Sequence, residues 1–208
     1  MLRLSTDIPE LARSDDRRDF RTENRIGEED PVILHVGRFI EQKNHAGVLG
    51  VFRRVLDRIP SAKLVLLGHG PLKDSVMKQI ATMGIETSVR YLGLRNDVPR
   101  IMTMSDVFLF PSLDEGFGLA ALEANAAGLP VVGSLIDGLR EAVVNEETAM
   151  LFPVRDVPAM ADAVVTLLLD SSKRYAMGQA GRLRARTTYS HEASASRLLE
   201  LYNEVLTR

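Results

Sequence analysis

The chain has 208 residues, 45% hydrophobic and 26% charged, which is enough for one sizeable core, and its 26 Lys and Arg against 28 Asp and Glu leave a net charge of -2. No global basic field gathers nucleic acid or anionic membrane, so any anion site has to be made locally. With no cysteine there are no disulfides, thiol nucleophiles or thiolate metal sites, and His35, His45, His69 and His191 lack paired metal-ligand spacing, so no metal is expected.

Residues 1–30 contain six Arg and nine Asp or Glu. That composition interrupts the apolar core a secretory signal needs, and it sustains no apolar period for more than a turn. The segment is read as linker-like, and the chain as cytoplasmic. Gly116 to Ile136, the longest weakly polar stretch, contains Glu123, Asn125 and Pro130 and does not qualify as a bilayer span.

From Pro31 the character changes. Val32 to Val36 is a short apolar run closed by Gly37, as in a buried strand, and comparable runs occupy 64–67, 89–92, 107–110, 131–132 and 150–152. Between them lie helical patterns. Ala46 to Arg58 places Val48, Leu49, Phe52, Val55, Leu56 and Ile59 at three- and four-residue spacing, and Pro60 stops it. Similar patterns cover 72–83, 98–104, 119–127 and 156–169, with two terminal helices over 173–186 and 192–206. Short apolar strands alternating with helices predict a doubly wound α/β domain over 31–208: a parallel sheet of about six strands with helices on both faces. Ligands of such sheets bind beyond the carboxyl ends of the strands.

Two of those loops stand out. After the first strand, Gly37-Arg38-Phe39 and Gln42-Lys43-Asn44 place a guanidinium and an ammonium before a helix, able to grip a phosphate from two directions; taken alone they read equally well as solvated loop cations. After the fourth strand, Glu115-Gly116-Phe117-Gly118-Leu119 opens a helix that continues to Glu123, and the two glycines let backbone approach a ligand. The paired carboxylates fit a glycosidase-like acid and nucleophile, hydroxyl-binding groups, or a helix-end charge with a buried acid. Spacing alone favours the last. An acid among Leu119, Leu122 and Ala126 is, however, expected to be buried and to need donors such as sugar or ribose hydroxyls. No G-x-G-x-x-G follows the first strand, which argues against a dinucleotide-dependent dehydrogenase.

Gly37-Arg38, Gln42-Lys43-Asn44, Gly68-His69-Gly70-Pro71-Leu72, Tyr91-Leu92-Gly93 and the run from Pro111-Ser112 through Glu115 to Glu123-Ala124 resemble, in order and spacing, the C-terminal half of glycosyltransferase family 4, the group 1 glycosyl transferases of the GT-B fold. The resemblance covers about 31–170. It implies a retaining enzyme that moves a hexose-type sugar from a UDP-, GDP- or ADP-sugar to an acceptor in polysaccharide, lipopolysaccharide or glycolipid synthesis, without a cofactor or metal. It further implies that Arg38 and Lys43 bind the donor diphosphate and offset leaving-group charge. Glu115 and the backbone of Gly116 to Leu119 meet the donor sugar and phosphate, Glu123 accepts the ribose hydroxyls, Gly37 and Gly68 shape the cradle, and Leu94 and Arg95 line the base pocket.

The departures are His69 where many relatives have an acid, Asp137-Gly138 in place of a Gly-Gly pair, Thr148 or Ala149 where a Gly precedes the last strand, and Asn125 where Met is common. His69 is read as a loop histidine and Asn125 as structural. No acceptor domain is recognised, so the chain is expected to be inactive alone and to work with an acceptor-binding N-terminal domain. The alternative is a stand-alone nucleotide-sugar-binding or regulatory module. Lys173, Arg174, Arg182, Arg184 and Arg186 read as a solvated face, although a full enzyme of this kind is compatible with peripheral membrane association. Leu198, Leu199, Leu201, Tyr202, Val205 and Leu206 give the last helix more apolar surface than one helix needs, a face for another domain or for a homodimer.

Overall fold

A computed structural model describes residues 5–206, with the side chains of Leu201 and Glu204 outside the description. Six parallel strands form one sheet: β1 (Val32–Val36), β2 (Lys63–Leu67), β3 (Val89–Gly93), β4 (Val107–Phe110), β5 (Val131–Ser134) and β6 (Ala149–Phe152). Their order is β3-β2-β1-β4-β5-β6. Strand order therefore reverses between β1 and β4, where a crevice opens at the carboxyl edge.

Side chains alternate between the two faces, as the pleat requires. Ile33, Leu64, Leu66, Val107 and Leu109 point into one core layer. It is covered by α2 (His45–Leu56), α3 (Lys73–Thr82) and α7 (Val157–Leu169). Leu34, Val65, Leu67, Phe108 and Phe110 point the other way, toward α4 (Val98–Thr103), α5 (Leu119–Ala126), α6 (Asp137–Ala142) and the end of α8 (Ser171–Tyr189). A last helix, α9 (His191–Leu206), follows. The central strands β1, β2, β4 and β5 are buried on both faces, which explains their nearly continuous apolar runs, while the edge strands β3 and β6 are only partly covered.

Two helices were not expected. The segment read as linker-like contains α1 (Ser14–Glu23), in which the apolar residue Phe20 and Arg21 are the buried positions. Its packing is polar and tertiary. The Arg21 guanidinium donates to the Gly27 and Asp30 carbonyls at 2.5 and 2.9 Å, Arg17 pairs with Asp106 at 3.1 Å, and Arg100 pairs with Asp16 at 2.5 Å. A helix held this way leaves no apolar stripe to read. The other, α6, is only six residues long.

The basic face of α8 is less solvated than expected. Arg174 donates to the Leu167 and Leu168 carbonyls, Arg182 to those of Ala126 and Pro9, and Arg184 to that of Glu141. These three arginines close helix ends and tie down the N-terminal segment. On α9, Leu199, Tyr202, Val205 and Leu206 are all exposed. No helix among the described residues is long and apolar enough to cross a membrane.

Candidate functional site

The loops after β1 and β4 are stitched into one unit across the crevice. Asn44, in the left-handed region at φ 51°, caps α2 by accepting from the Gly47 amide and donates from Nδ2 to the Pro111 carbonyl at 2.9 Å. Gln42 donates to the Asp114 carbonyl, and its own carbonyl accepts from the Leu113 amide at 2.8 Å. Between these ties Lys43 reaches Glu115, Nζ to Oε1 at 2.5 Å, with both side chains largely buried. The ammonium also lies 4.9 Å from the centre of the Phe110 ring. This pair is shielded from solvent and lies between two aligned loops, so it differs from an exposed ion pair of marginal worth. A lysine has three donors, and one is used here.

Glu115 is held from below. Gly138, at the start of α6, approaches so closely that a Cβ there would stand 1.9 Å from the Glu115 carbonyl oxygen. Only glycine fits. Of the Asp137-Gly138 dipeptide, the residue that geometry demands is thus the glycine, while Asp137 is solvated. Sequence reasoning missed this seat, and the single retained glycine was its only signal.

The other expected site residues fall as follows. Arg38 is exposed and forms no ion pair with a described residue. Gly116 is exposed, Phe117 packs edge-on against Tyr189, and Gly118 (φ 70°) starts α5, whose opening amides carry no side-chain cap and are free to meet an anion. Leu119 is half exposed. Gly68 donates its amide to the Gly93 carbonyl, and the Gly37 amide donates to Leu67, which draws the first three βα loops together. Leu94 is 79% exposed at this rim, and Arg95 is held by Asp97 through two contacts of 2.8 and 2.7 Å. His69 is exposed beside the Tyr91 hydroxyl, as expected of a loop histidine. Asn125 is buried and donates to the Thr148 carbonyl, a structural role.

One expectation fails. Glu123 is not buried among Leu119, Leu122 and Ala126: α5 buries Ala121, Leu122, Ala124, Asn125 and Ala126 and turns Glu123 to solvent. Desolvation nevertheless raises its carboxyl above the usual range. Water reaches this acid while protein crowds it, the condition of a group in a concavity.

Beneath the cradle sit two buried imidazoles, His35 at the end of β1 and His45 at the start of α2. Burial first, then the neighbouring His45 in the case of His35 and Lys43 in the case of His45, lower them to about 3 and about 4 respectively. Both rings are neutral at pH 7. His35 Nε2, both nitrogens of His45, and the hydroxyls of Ser112 and Ser134 at the ends of β4 and β5 are buried without a hydrogen-bond partner. No group of three or more His, Asp or Glu able to hold a metal occurs among the described residues.

A six-stranded parallel sheet in this order, with a charged cradle at its switch point, defines a Rossmann-like α/β domain of the kind that binds nucleotides. A family model described as Glycosyl transferases group 1 matches residues 16–184, and the chain belongs to that family. It is 30% identical over 191 residues to N-acetyl-alpha-D-glucosaminyl L-malate synthase of Bacillus anthracis, covering 92% of this chain and 50% of that one. It is 35% identical over 185 residues to D-inositol 3-phosphate glycosyltransferase of Corynebacterium urealyticum, covering 85% and 43%. Among solved structures, HepE of Anabaena in complex with UDP and glucose superposes with a TM-score of 0.88 at 21% identity, covering 97% of this chain and 56% of that one. Sucrose-phosphate synthase of Thermosynechococcus elongatus gives 0.83 at 26% identity, covering 99% and 52%. The fold is that of the GT-B Rossmann-like domain, and the chain spans about half the length of the curated relatives it matches.

Proposed function

We propose that this chain provides the nucleotide-sugar donor site of a retaining glycosyltransferase that transfers a hexose from a nucleoside diphosphate sugar to an acceptor. The observation that carries the reading is the Lys43–Glu115 pair, a cation and an acid held together at the switch point of the sheet. In this reading the spare donors of Lys43 and the free fork of Arg38 take the diphosphate and offset the charge that develops on the leaving nucleotide. The amides opening α5 add to the same cradle. Glu115 orients the ammonium and accepts from hydroxyls of the donor sugar, Glu123 accepts from the ribose, and the rim around Leu94 and Arg95 faces the base.

Relatives support the substrate class. A GDP-mannose-dependent mannosyltransferase of Mycobacterium tuberculosis is 30% identical over 193 residues, and the HepE structure holds UDP. The proposed setting is polysaccharide, lipopolysaccharide or glycolipid synthesis on the cytoplasmic side of a membrane. The acceptor would be held by a second domain or chain. The exposed apolar residues of α9 support a further covering surface.

The reading is tested by saturation-transfer NMR with UDP, GDP and ADP and their glucose conjugates. One nucleotide is expected to receive saturation, and Glu115→Ala is expected to weaken the sugar conjugate more than the bare nucleotide, which loses only the orientation of Lys43. Equal loss of both removes Glu115 from the sugar subsite.

A further inference from the structure

His35 stands where the two central strands part. β1 pairs with β2 over five residues, out to Val36 and Leu67, but with β4 only at Ile33–Val107 and Leu34–Phe108. One residue further on, His35 Nδ1 lies 2.9 Å from the Leu109 carbonyl oxygen. A carbonyl only accepts, so Nδ1 carries the proton and the neutral ring presents Nε2 as a bare acceptor. That nitrogen is buried and unpartnered. It faces Gly37: a Cβ there would stand 3.2 Å from Nε2 and 3.3 and 3.4 Å from Cγ and Cδ of Lys43. The imidazole and the lysine stem therefore share the space that a side chain at 37 would fill. His45, two residues after Lys43, closes the arrangement, its ring edge-on to His35 at 4.9 Å and 4.0 Å from Phe39. On the other side His35 neighbours Phe110, the ring beneath the Lys43 ammonium.

An aliphatic residue would fill this place without leaving a buried nitrogen unpaired. What it would lack is the donor to Leu109. We propose that His35 is a positioning residue for Lys43: its side-chain hydrogen bond replaces the missing β1–β4 ladder contact and fixes where the ammonium stands between Glu115 and an arriving anion. The proposal rests on the anion-binding role given to Lys43 above and deepens it.

The first test needs no variant. Nitrogen NMR of the imidazoles at pH 7 is expected to show His35 protonated on Nδ1 and bare on Nε2; the opposite tautomer overturns the proposal. The second compares His35→Leu, which removes the donor, with His35→Gln, which restores an N–H of similar reach. One readout is the proton shift of the Lys43 ε-methylene, displaced by the Phe110 ring current while the ammonium stays over it. The other is calorimetric affinity for inorganic pyrophosphate. His35→Leu is expected to lose the displaced shift and to bind pyrophosphate roughly tenfold more weakly, about the effect of one misplaced hydrogen bond, with His35→Gln recovering both. An unchanged shift in His35→Leu overturns the proposal, as does a His35→Gln that behaves like His35→Leu. Failure of wild-type protein to bind pyrophosphate while the shifts respond as expected counts against the anion site and leaves the positioning role supported. Should His35→Leu not fold, the tautomer and the Gln variant decide.

Discussion

At the amino end of β4, Asp106 is saturated: its carboxylate accepts from the Val32 amide at 2.8 Å and lies 3.1, 3.8 and 4.0 Å from the guanidinium groups of Arg17, Arg21 and Arg174. At the carboxyl end of the same sheet, Lys43 has one acidic partner, Arg38 has none among the described residues, and His35, His45, Ser112 and Ser134 keep buried polar atoms unpaired. Saturated charge at one edge fastens α1 and α8 to the sheet. The spare donors of Lys43 and Arg38 at the other edge are what an anionic ligand would complete, while the unpaired atoms of His35, His45, Ser112 and Ser134 lie buried beneath them.

Gly138→Ala is expected to have the largest effect, because the new Cβ meets backbone at Glu115; a loss of about 2–3 kcal/mol in urea unfolding together with loss of nucleotide binding is predicted. Asp106→Ala strands three arginines, two of them partly solvated, and is expected to lower stability by about 2 kcal/mol while leaving nucleotide affinity within twofold. If Asp106→Ala impairs binding as much as stability, the two edges are not separate in function.

A pH series sharpens the contrast. The ordinary histidine value is 6.5, and folding depresses His35 to about 3 and His45 to about 4. Below about pH 6.5 the unfolded chain takes up protons on both rings that the folded chain refuses, so stability falls as pH drops toward 4, and these rings add no pH dependence above pH 7. Urea unfolding at pH 7.5, 6 and 5 should show a shallower decline in His45→Phe than in wild type. Parallel declines would mean that the rings do not resist protonation. The smallest effect belongs to the rim: Leu94→Ala is expected to change stability by less than about 0.5 kcal/mol, any change appearing in base preference alone.

The sheet was legible because each strand is an apolar run bounded by turn residues, and the observed strands begin and end within two residues of the expected ones. α1 was not legible, because its anchor is an arginine network ending on Asp106, 89 residues away from Arg17. Glu123 was placed on the wrong face for a different reason: α5, with the sequence LAALEANA, is small and apolar nearly all round, so no periodicity distinguishes its buried side. In the site, Lys43 and Glu115 were each marked by their loops, but their contact across 72 residues follows from β1 and β4 being neighbours. His35 carried no sequence signal beyond its place at the end of a strand, since its role depends on a ladder that stops two residues into β4.

The most direct test is calorimetry of the nucleoside diphosphate that the chain prefers, wild type against Lys43→Ala at matched salt. Measurable binding by the wild-type chain is predicted, weakened at least tenfold by Lys43→Ala, with the unfolding free energy lowered by about 2–3 kcal/mol because Glu115 loses its partner in a largely buried place. Equal affinity in the two proteins, or no binding of any nucleoside diphosphate at millimolar concentration, would contradict it.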